Sequence, residues 1–318
     1  MAEYGVYVPW EQLKEYIPIR IEQARDDANL FRICIEASRK FDAHAGRKFY
    51  PTQTTRYYDD PDWTLTRPRQ RTWVSRFARF APAYRYPLAY KCDQLVLDDD
   101  LLEVISLTSN NGADTVAAVD YNLLSADNSN WTPYNVIELI QGNDAAFTYS
   151  STPQDSNAVA GYWGYHEHWA DAWQDSLDTV ENNPLSISAT TITVNDIDGA
   201  NLYGLSPRFM VQQLLKIESE WLFVTGKNTN TNVLTVIRGV NGTTAAAHVQ
   251  NTPIYIYQPM AEIVGAMEVL ATYIYRRRES VGSLGDQGTA ANGVLVMPSK
   301  LPQDVMDMLN IYKRWTKS

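Results

Sequence analysis

The residues best suited to bind a metal ion lie in the segment His166–His168, with Asp171 three positions further on. Two histidines at positions i and i+2 point to the same side of a β-strand, where both could ligate zinc. A zinc site takes three or four ligands, and the neighbouring residues are mostly aromatic and offer no clear third ligand. We therefore predict no metal site and interpret the segment as packing and hydrogen bonding at a subunit boundary.

The motifs of common catalytic centres do not occur in the sequence. The nearest match to the G-x-S-x-G nucleophile elbow, Gly282–Gly285, has the wrong spacing, and no G-x-x-x-x-G-K-[ST] phosphate-binding loop is found. Gly239–Gly242 is typical of a hairpin turn, and the carboxylate run Asp98–Asp100 is typical of a solvated turn. We predict no catalytic residues, no cofactor and no enzymatic activity.

The net charge of the chain argues against a general nucleic-acid binder, but one segment is strongly basic. With 37 acidic and 27 basic residues, the net charge of −10 is unlike that of a general nucleic-acid binder. The segment Trp63–Cys92 nevertheless contains seven basic residues and no acidic one. Its arginines alternate with aromatic residues, a pattern that could stack nucleobases and contact phosphates.

The same pattern could dock on an acidic protein surface, because arginine and aromatic residues dominate protein interfaces. We favour docking, since the rest of the chain is acidic and a neighbouring identical subunit would offer such a surface. The candidate subunit or partner interface residues are Arg76, Phe77, Arg79, Phe80, Tyr84 and Arg85.

Hydrophobic periodicity and turn signals divide the 318 residues into three parts. A helical stripe of Leu30, Ile33, Ala37 and Phe41 places helices near the start, and short extended runs follow. Five or so short strands with close turns indicate a small all-β barrel or sandwich over 182–258. Helix then resumes, followed by a linker rich in Gly, Ser and Asn.

The predicted fold class is α+β, a helical core with short β-strands plus an inserted small all-β domain. The core covers 1–181 and includes the basic aromatic loop 63–92, the inserted domain covers 182–258, and 259–318 holds a helix, the linker and a docking tail. No apolar run could span a bilayer, no secretory signal opens the chain, and two cysteines predict no disulfide framework. We expect synthesis in a reducing cytoplasm.

Several motifs resemble the head–tail adaptor (connector) proteins of tailed bacteriophages. They are Ile35–Phe41 with Gly46–Pro51, Thr55–Asp59, Leu97–Val104, Asp120–Leu123 and Leu301–Arg314. The β block resembles a small module of phage virion proteins through Ile217–Trp221 and Arg238–His248. The resemblance implies a helical adaptor core and a non-enzymatic ring, typically dodecameric, that joins the portal to the tail or head-closure proteins.

The implied partners are the portal protein, a tail-side neck or head-closure protein, identical subunits and, transiently, the passing genomic DNA, with no membrane. The implied location is the virion neck at the head–tail junction, after assembly in the host cytoplasm. An acidic channel wall would repel phosphates and let DNA slide.

The C-terminal segment is the predicted portal anchor. A helix from Pro302 has a short apolar face that would be unstable in isolation, so we expect it to pack into a groove of the portal. The alternative is that it packs on the N-terminal helices of its own chain. The candidate portal-binding residues are Val305, Met308, Leu309, Tyr312, Lys313, Arg314 and Trp315.

Two other functions stay open. The first is a carbohydrate- or receptor-binding virion protein that uses exposed aromatic residues of the β domain. Its aromatic rings would lie exposed and coplanar on one face, whereas a ring protein would bury them between subunits. The second is a DNA-binding protein, which tight DNA binding at moderate salt would favour.

Overall fold

The computed structural model describes residues 4–17, 26–61, 93–125, 131–283 and 303–314. The chain divides into two compact units. The central unit is Thr52–Glu167, and the terminal unit combines Met1–Pro51 with His168–Ser318. The candidate interface residues between 76 and 85 lie outside the described residues.

The central unit contains one antiparallel sheet of six strands. The strands are β1 (Thr52–Tyr58), β2 (Gln94–Ser109), β3 (Asp114–Val116), β4 (Tyr121–Leu124), β5 (Tyr134–Leu139) and β6 (Asn157–Trp163). Their order is β1-β6-β2-β5-β4, and β3 pairs with β2. Leu101, Leu107, Val159 and Trp163 are among the buried residues that form its core.

Strand β2 is a single strand of 16 residues, although the sequence predicts two short runs separated by a solvated turn at Asp98–Asp100. That prediction is wrong because the three carboxylates have partners in the sheet. Arg56 on β1 forms ion pairs with Asp98 (3.1 Å) and Asp99 (2.5 Å), and the Asn135 amide donates to Asp100 (3.1 Å). The register with β5 shifts beside this run, so the strand is irregular there without ending.

The second antiparallel sheet belongs to the terminal unit. Its strands are β7 (Trp173–Thr179), β8 (Thr191–Thr193), β9 (Leu214–Ile217), β10 (Glu220–Asn228), β11 (Val233–Arg238) and β12 (Pro253–Tyr257). Their order is β7-β12-β9-β10-β11-β8. The Glu181 N–H, just after β7, donates to the Thr193 carbonyl of β8 (2.9 Å), so the two edges of the sheet meet and enclose an apolar core.

Four α-helices complete the terminal unit in the described residues: α1 (Trp10–Tyr16), α2 (Asp27–Ala45), α3 (Ala261–Ser283) and α4 (Gln303–Tyr312). Helix α2 buries the predicted stripe around Ile33 and Phe41 and ends at Gly46, whose φ of 65° suits a glycine. Cys34 is buried in this stripe, and its burial raises the pKa of the thiol to about 12. Among the described residues, none of the helices has the length and apolar character of a membrane span.

The predicted α+β fold with a helical adaptor core is wrong. Two antiparallel sheets of six strands dominate the described residues, and the helices are few. The prediction failed because strands adjacent in a sheet are distant in sequence: Thr52 of β1 pairs with Trp163 of β6. Independent folding of the predicted domain 182–258 stays a prediction.

Candidate functional site

The C-terminal segment contacts its own chain. The Tyr312 ring packs edge-on against Phe49, with ring centroids 5.9 Å apart, and the Arg314 N–H donates to the Ala45 carbonyl at the end of α2 (2.8 Å). Lys313 is exposed. The side chains of Val305, Met308 and Leu309, and the whole of Trp315, lie outside the described residues. Portal binding stays a prediction, and Tyr312 and Arg314 have contacts within the terminal unit.

A hydrogen-bonded network surrounds the ring that Tyr312 contacts. The Tyr7 hydroxyl donates to the Asp42 carboxylate and accepts the Phe49 N–H (2.9 Å). Arg39 donates to Asp42 (3.2 Å) and to the Tyr50 hydroxyl (2.7 Å). Burial raises the pKa of Asp42 to about 6 against the opposing hydrogen bonds, and burial beside Asp42 raises the pKa of Tyr7. These residues include members of the motifs Ile35–Phe41 and Gly46–Pro51, and their contacts fix the N-terminal segment on α2.

A network of charged side chains, which we call the clamp, joins the β9–β10 turn to the segment that follows β11. Its members are Glu218, Glu220, Arg238 and His248. Arg238 holds the two Glu220 oxygens with two hydrogen bonds (2.5 and 2.6 Å), and the N–H groups of Gly239 and Ala246 donate to the same carboxylate (3.1 and 3.0 Å). His248 lies between both glutamates, with Nδ1 2.8 Å from Glu218 and Nε2 2.8 Å from Glu220.

The electrostatics of the clamp favour a structural role. The Glu220 side chain is fully buried, and burial alone raises its pKa. The hydrogen bonds from Arg238, the Ala246 N–H and His248 outweigh burial and hold the pKa of Glu220 below its usual value. A buried carboxylate that already accepts several hydrogen bonds has no accessible lone pair for a substrate proton. The clamp therefore fixes two segments of the sheet.

Sequence reasoning missed the clamp, because His248 has no sequence-near carboxylate. Its partners lie 28 and 30 residues earlier in the chain and meet it only when β10 and β11 pair. The sequence feature that could have indicated the clamp is the spacing Glu218-x-Glu220 in a hairpin turn, with Arg238 at the end of a later strand.

The segment His166–Asp171 does not form the strand that a shared zinc site would need. His166 is buried and belongs to the central unit, whereas His168 is exposed and belongs to the terminal unit. The hydroxyl of Tyr165 donates to Glu167 (2.8 Å). Among the residues that the structure describes, no group of three or more His, Cys, Asp or Glu has the arrangement of a metal site.

The aromatic residues near β7 pack against one another with their rings tilted. The ring of Trp173 lies 5.5 Å from that of Trp221 at 36°, 5.3 Å from Tyr257 at 58° and 6.3 Å from Trp169 at 75°. Trp221 is also buried. This cluster is a packed junction and lacks the coplanar exposed rings that a sugar platform would need.

The described part of the central unit has a strong excess of acidic side chains. Its described residues contain thirteen acidic side chains and one basic side chain, that of Arg56. The acidic residues are Asp59, Asp60, Asp93, Asp98, Asp99, Asp100, Glu103, Asp114, Asp120, Glu138, Asp144, Asp155 and Glu167. Most of these side chains are at least partly exposed, so the described surface of this unit repels phosphates.

No protein-family model, no curated protein and no solved structure matches the chain.

Proposed function

We propose that this chain is a structural virion protein that forms a ring between the phage portal and the tail or head-closure proteins, with a channel for DNA. The observation that carries the proposal is the excess of acidic side chains on the described part of the central unit, thirteen against one. A wall of this charge repels the DNA backbone, so DNA passes without being retained.

Complementary charge within the same chain supports assembly from identical subunits. A closed ring needs two different surfaces on each subunit that fit each other. The sequence of Trp63–Cys92 has seven basic residues and no acidic one, and the described central unit is its electrostatic counterpart. Docking between copies would neutralise part of both charges.

A non-catalytic role agrees with the contacts of the charged groups. Glu220 and Arg238 bind each other, and Asp178 binds Arg208 (2.9 Å), in both cases with a fully buried carboxylate. The carbohydrate-binding alternative has less support, because Tyr203 is the one exposed aromatic residue within the described range 182–258, and a single ring does not make an exposed face of coplanar rings.

The proposal is tested with the purified full chain. Electron microscopy and light scattering should reveal closed rings, alone or with the portal protein of the same phage, and the chain should not retain duplex DNA at moderate salt. Asp114→Asn combined with Asp120→Asn and Asp144→Asn should raise DNA retention, and Asn110→Asp serves as a control of opposite charge. A monomer that binds DNA tightly at moderate salt would contradict the proposal.

A further inference from the structure

His248 is a buried histidine whose two ring nitrogens both contact carboxylates. Its side chain is fully buried, with Nδ1 2.8 Å from Glu218 and Nε2 2.8 Å from Glu220. A neutral imidazole has one N–H, so it can donate one hydrogen bond and must accept the other. The protonation state of His248 therefore depends on whether either carboxylate can donate a hydrogen to the ring.

The Glu220 carboxylate can only accept. Its two oxygens already accept hydrogen bonds from Arg238 (2.5 and 2.6 Å) and from the N–H groups of Gly239 (3.1 Å) and Ala246 (3.0 Å). Against the effect of burial, such hydrogen bonds hold the pKa of Glu220 below its usual value, so the group is ionised at neutral pH. Because an ionised carboxylate has no hydrogen to donate, Nε2 of His248 must be the donor.

The Glu218 carboxylate is the second acceptor. Its side chain is 59% exposed, and contact with water keeps a carboxylate charged at neutral pH. Nδ1 of His248 must then donate as well. Only the doubly protonated ring, the imidazolium ion, donates from both nitrogens.

The charges of the clamp balance only when His248 is protonated. Glu218 and Glu220 contribute two negative charges, and Arg238 contributes one positive charge. In the described part of the chain, His248 pairs with no charged group other than these glutamates, and Glu220 pairs with none other than Arg238 and His248. A neutral ring would leave an unbalanced negative charge beside a fully buried carboxylate. Because a buried charge is costly unless it is paired, folding favours the protonated ring.

The backbone of His248 connects the clamp to the core of the sheet. Its N–H donates to the Leu185 carbonyl (3.0 Å), and the Leu185 N–H donates to the His248 carbonyl (2.9 Å). Leu185 is fully buried among the apolar residues of this core. The charged ring of His248 therefore holds the segment 239–252, which links β11 to β12, on the β9–β10 turn and beside Leu185.

We propose that His248 is a buried imidazolium ion and that the segment 239–252 is a pH-sensitive latch, closed while the ring is protonated and weakened when the proton is lost. A histidine in the unfolded chain releases its proton near pH 6.5, the ordinary value of about 6.5 for this side chain. The folded chain keeps the proton to higher pH, so the stabilisation is complete below about pH 6.5 and is lost as pH rises further. The latch is a property of one folded chain and is independent of the proposed ring.

The pH dependence of stability tests the latch. Urea denaturation of the full chain should show that the equilibrium constant for unfolding increases several-fold from pH 7 to pH 8, with about tenfold as the limit for one proton. Glu218→Gln offers Nδ1 an amide N–H, so that a neutral ring has a donor on one side and an acceptor on the other. This variant and His248→Gln should both lose most of the increase. His168→Gln, at an exposed histidine, is the control and should retain it.

Nuclear magnetic resonance of the full chain with 15N-labelled histidine measures the protonation directly. At pH 7 both ring nitrogens of His248 should give imidazolium-type shifts, assigned by comparison with His248→Gln or, if that variant is unfolded, with Glu218→Gln. One protonated and one bare nitrogen at pH 7 would overturn the proposal. The same conclusion would follow if the unfolding constant increased as much in Glu218→Gln as in the unchanged protein. Either result would leave the proposed ring standing, since the ring is tested on assemblies.

Discussion

Replacing Glu220 by glutamine removes the negative charge at the centre of the clamp. The amide keeps the size of the side chain but leaves the buried Arg238 guanidinium without a charged partner. Breaking a buried pair by changing one partner costs about 3–5 kcal/mol of unfolding free energy. Because Glu220 also accepts the N–H groups of Gly239 and Ala246, we expect Glu220→Gln to cost at least about 3 kcal/mol.

Urea denaturation of the full chain at neutral pH measures this cost. Glu218→Gln is the matched control, because Glu218 contacts the same histidine while its side chain is 59% exposed, and its loss should cost about 0–1 kcal/mol. The lowered pKa of Glu220 adds a second readout: its stabilisation is present above the unfolded-state pKa of 4.5 and is lost as pH falls through the lower folded-state pKa. A cost below about 1 kcal/mol for Glu220→Gln would refute the clamp.

Four further predictions follow from the described contacts. Truncation after Gly293 removes the Tyr312–Phe49 and Arg314–Ala45 contacts, so it should lower the melting temperature by at least about 3 °C. If the stability is unchanged and portal binding is lost, the C-terminal segment is a portal anchor instead. Asp42, with a pKa raised from 3.8 to about 6, should make stability fall by about 3 kcal/mol as pH rises from about 3 to about 7, and Asp42→Asn should abolish that part of the pH profile measured by urea denaturation. A fragment of residues 182–258 should show a cooperative unfolding transition in circular dichroism. A fragment of residues 168–258 should be more stable, because it keeps β7 beside β12. A disordered 182–258 fragment would show that this range does not fold independently. Changing Arg76, Arg79 and Arg85 together to alanine should block ring formation in light scattering with an unchanged melting temperature, whereas normal rings with altered DNA retention would favour a nucleic-acid contact.

The parts of the fold that the sequence predicts are those set by neighbouring residues. Helix α2 has its apolar positions in one stretch and a glycine with positive φ at its end, so local periodicity suffices. Strand β2 was misassigned because a run of three carboxylates is usually solvated. Its partners Arg56 and Asn135 lie 42 and 35 residues from the carboxylates they bind, and no local pattern predicts that pairing.

The same limit applies to the candidate sites. The acidic character of the chain outside Trp63–Cys92 follows from residue counts, whereas the clamp depends on the pairing of β10 with β11. The motifs that resemble an adaptor include Arg39 and Tyr50, which bind each other (2.7 Å), and Arg39 also donates to the Gly5 carbonyl (3.3 Å) and so holds the N-terminal segment on α2. Residues of such motifs can be retained for contacts within the fold. The motifs also contain no information on strand pairing, so they do not predict the two sheets.

The proposed ring is tested most directly by a symmetric reconstruction of the full chain mixed with a phage portal protein. We expect a closed ring coaxial with the portal, with the acidic described surface of the central units facing an open channel. A single copy at the portal, or a ring whose channel wall is basic, would contradict it.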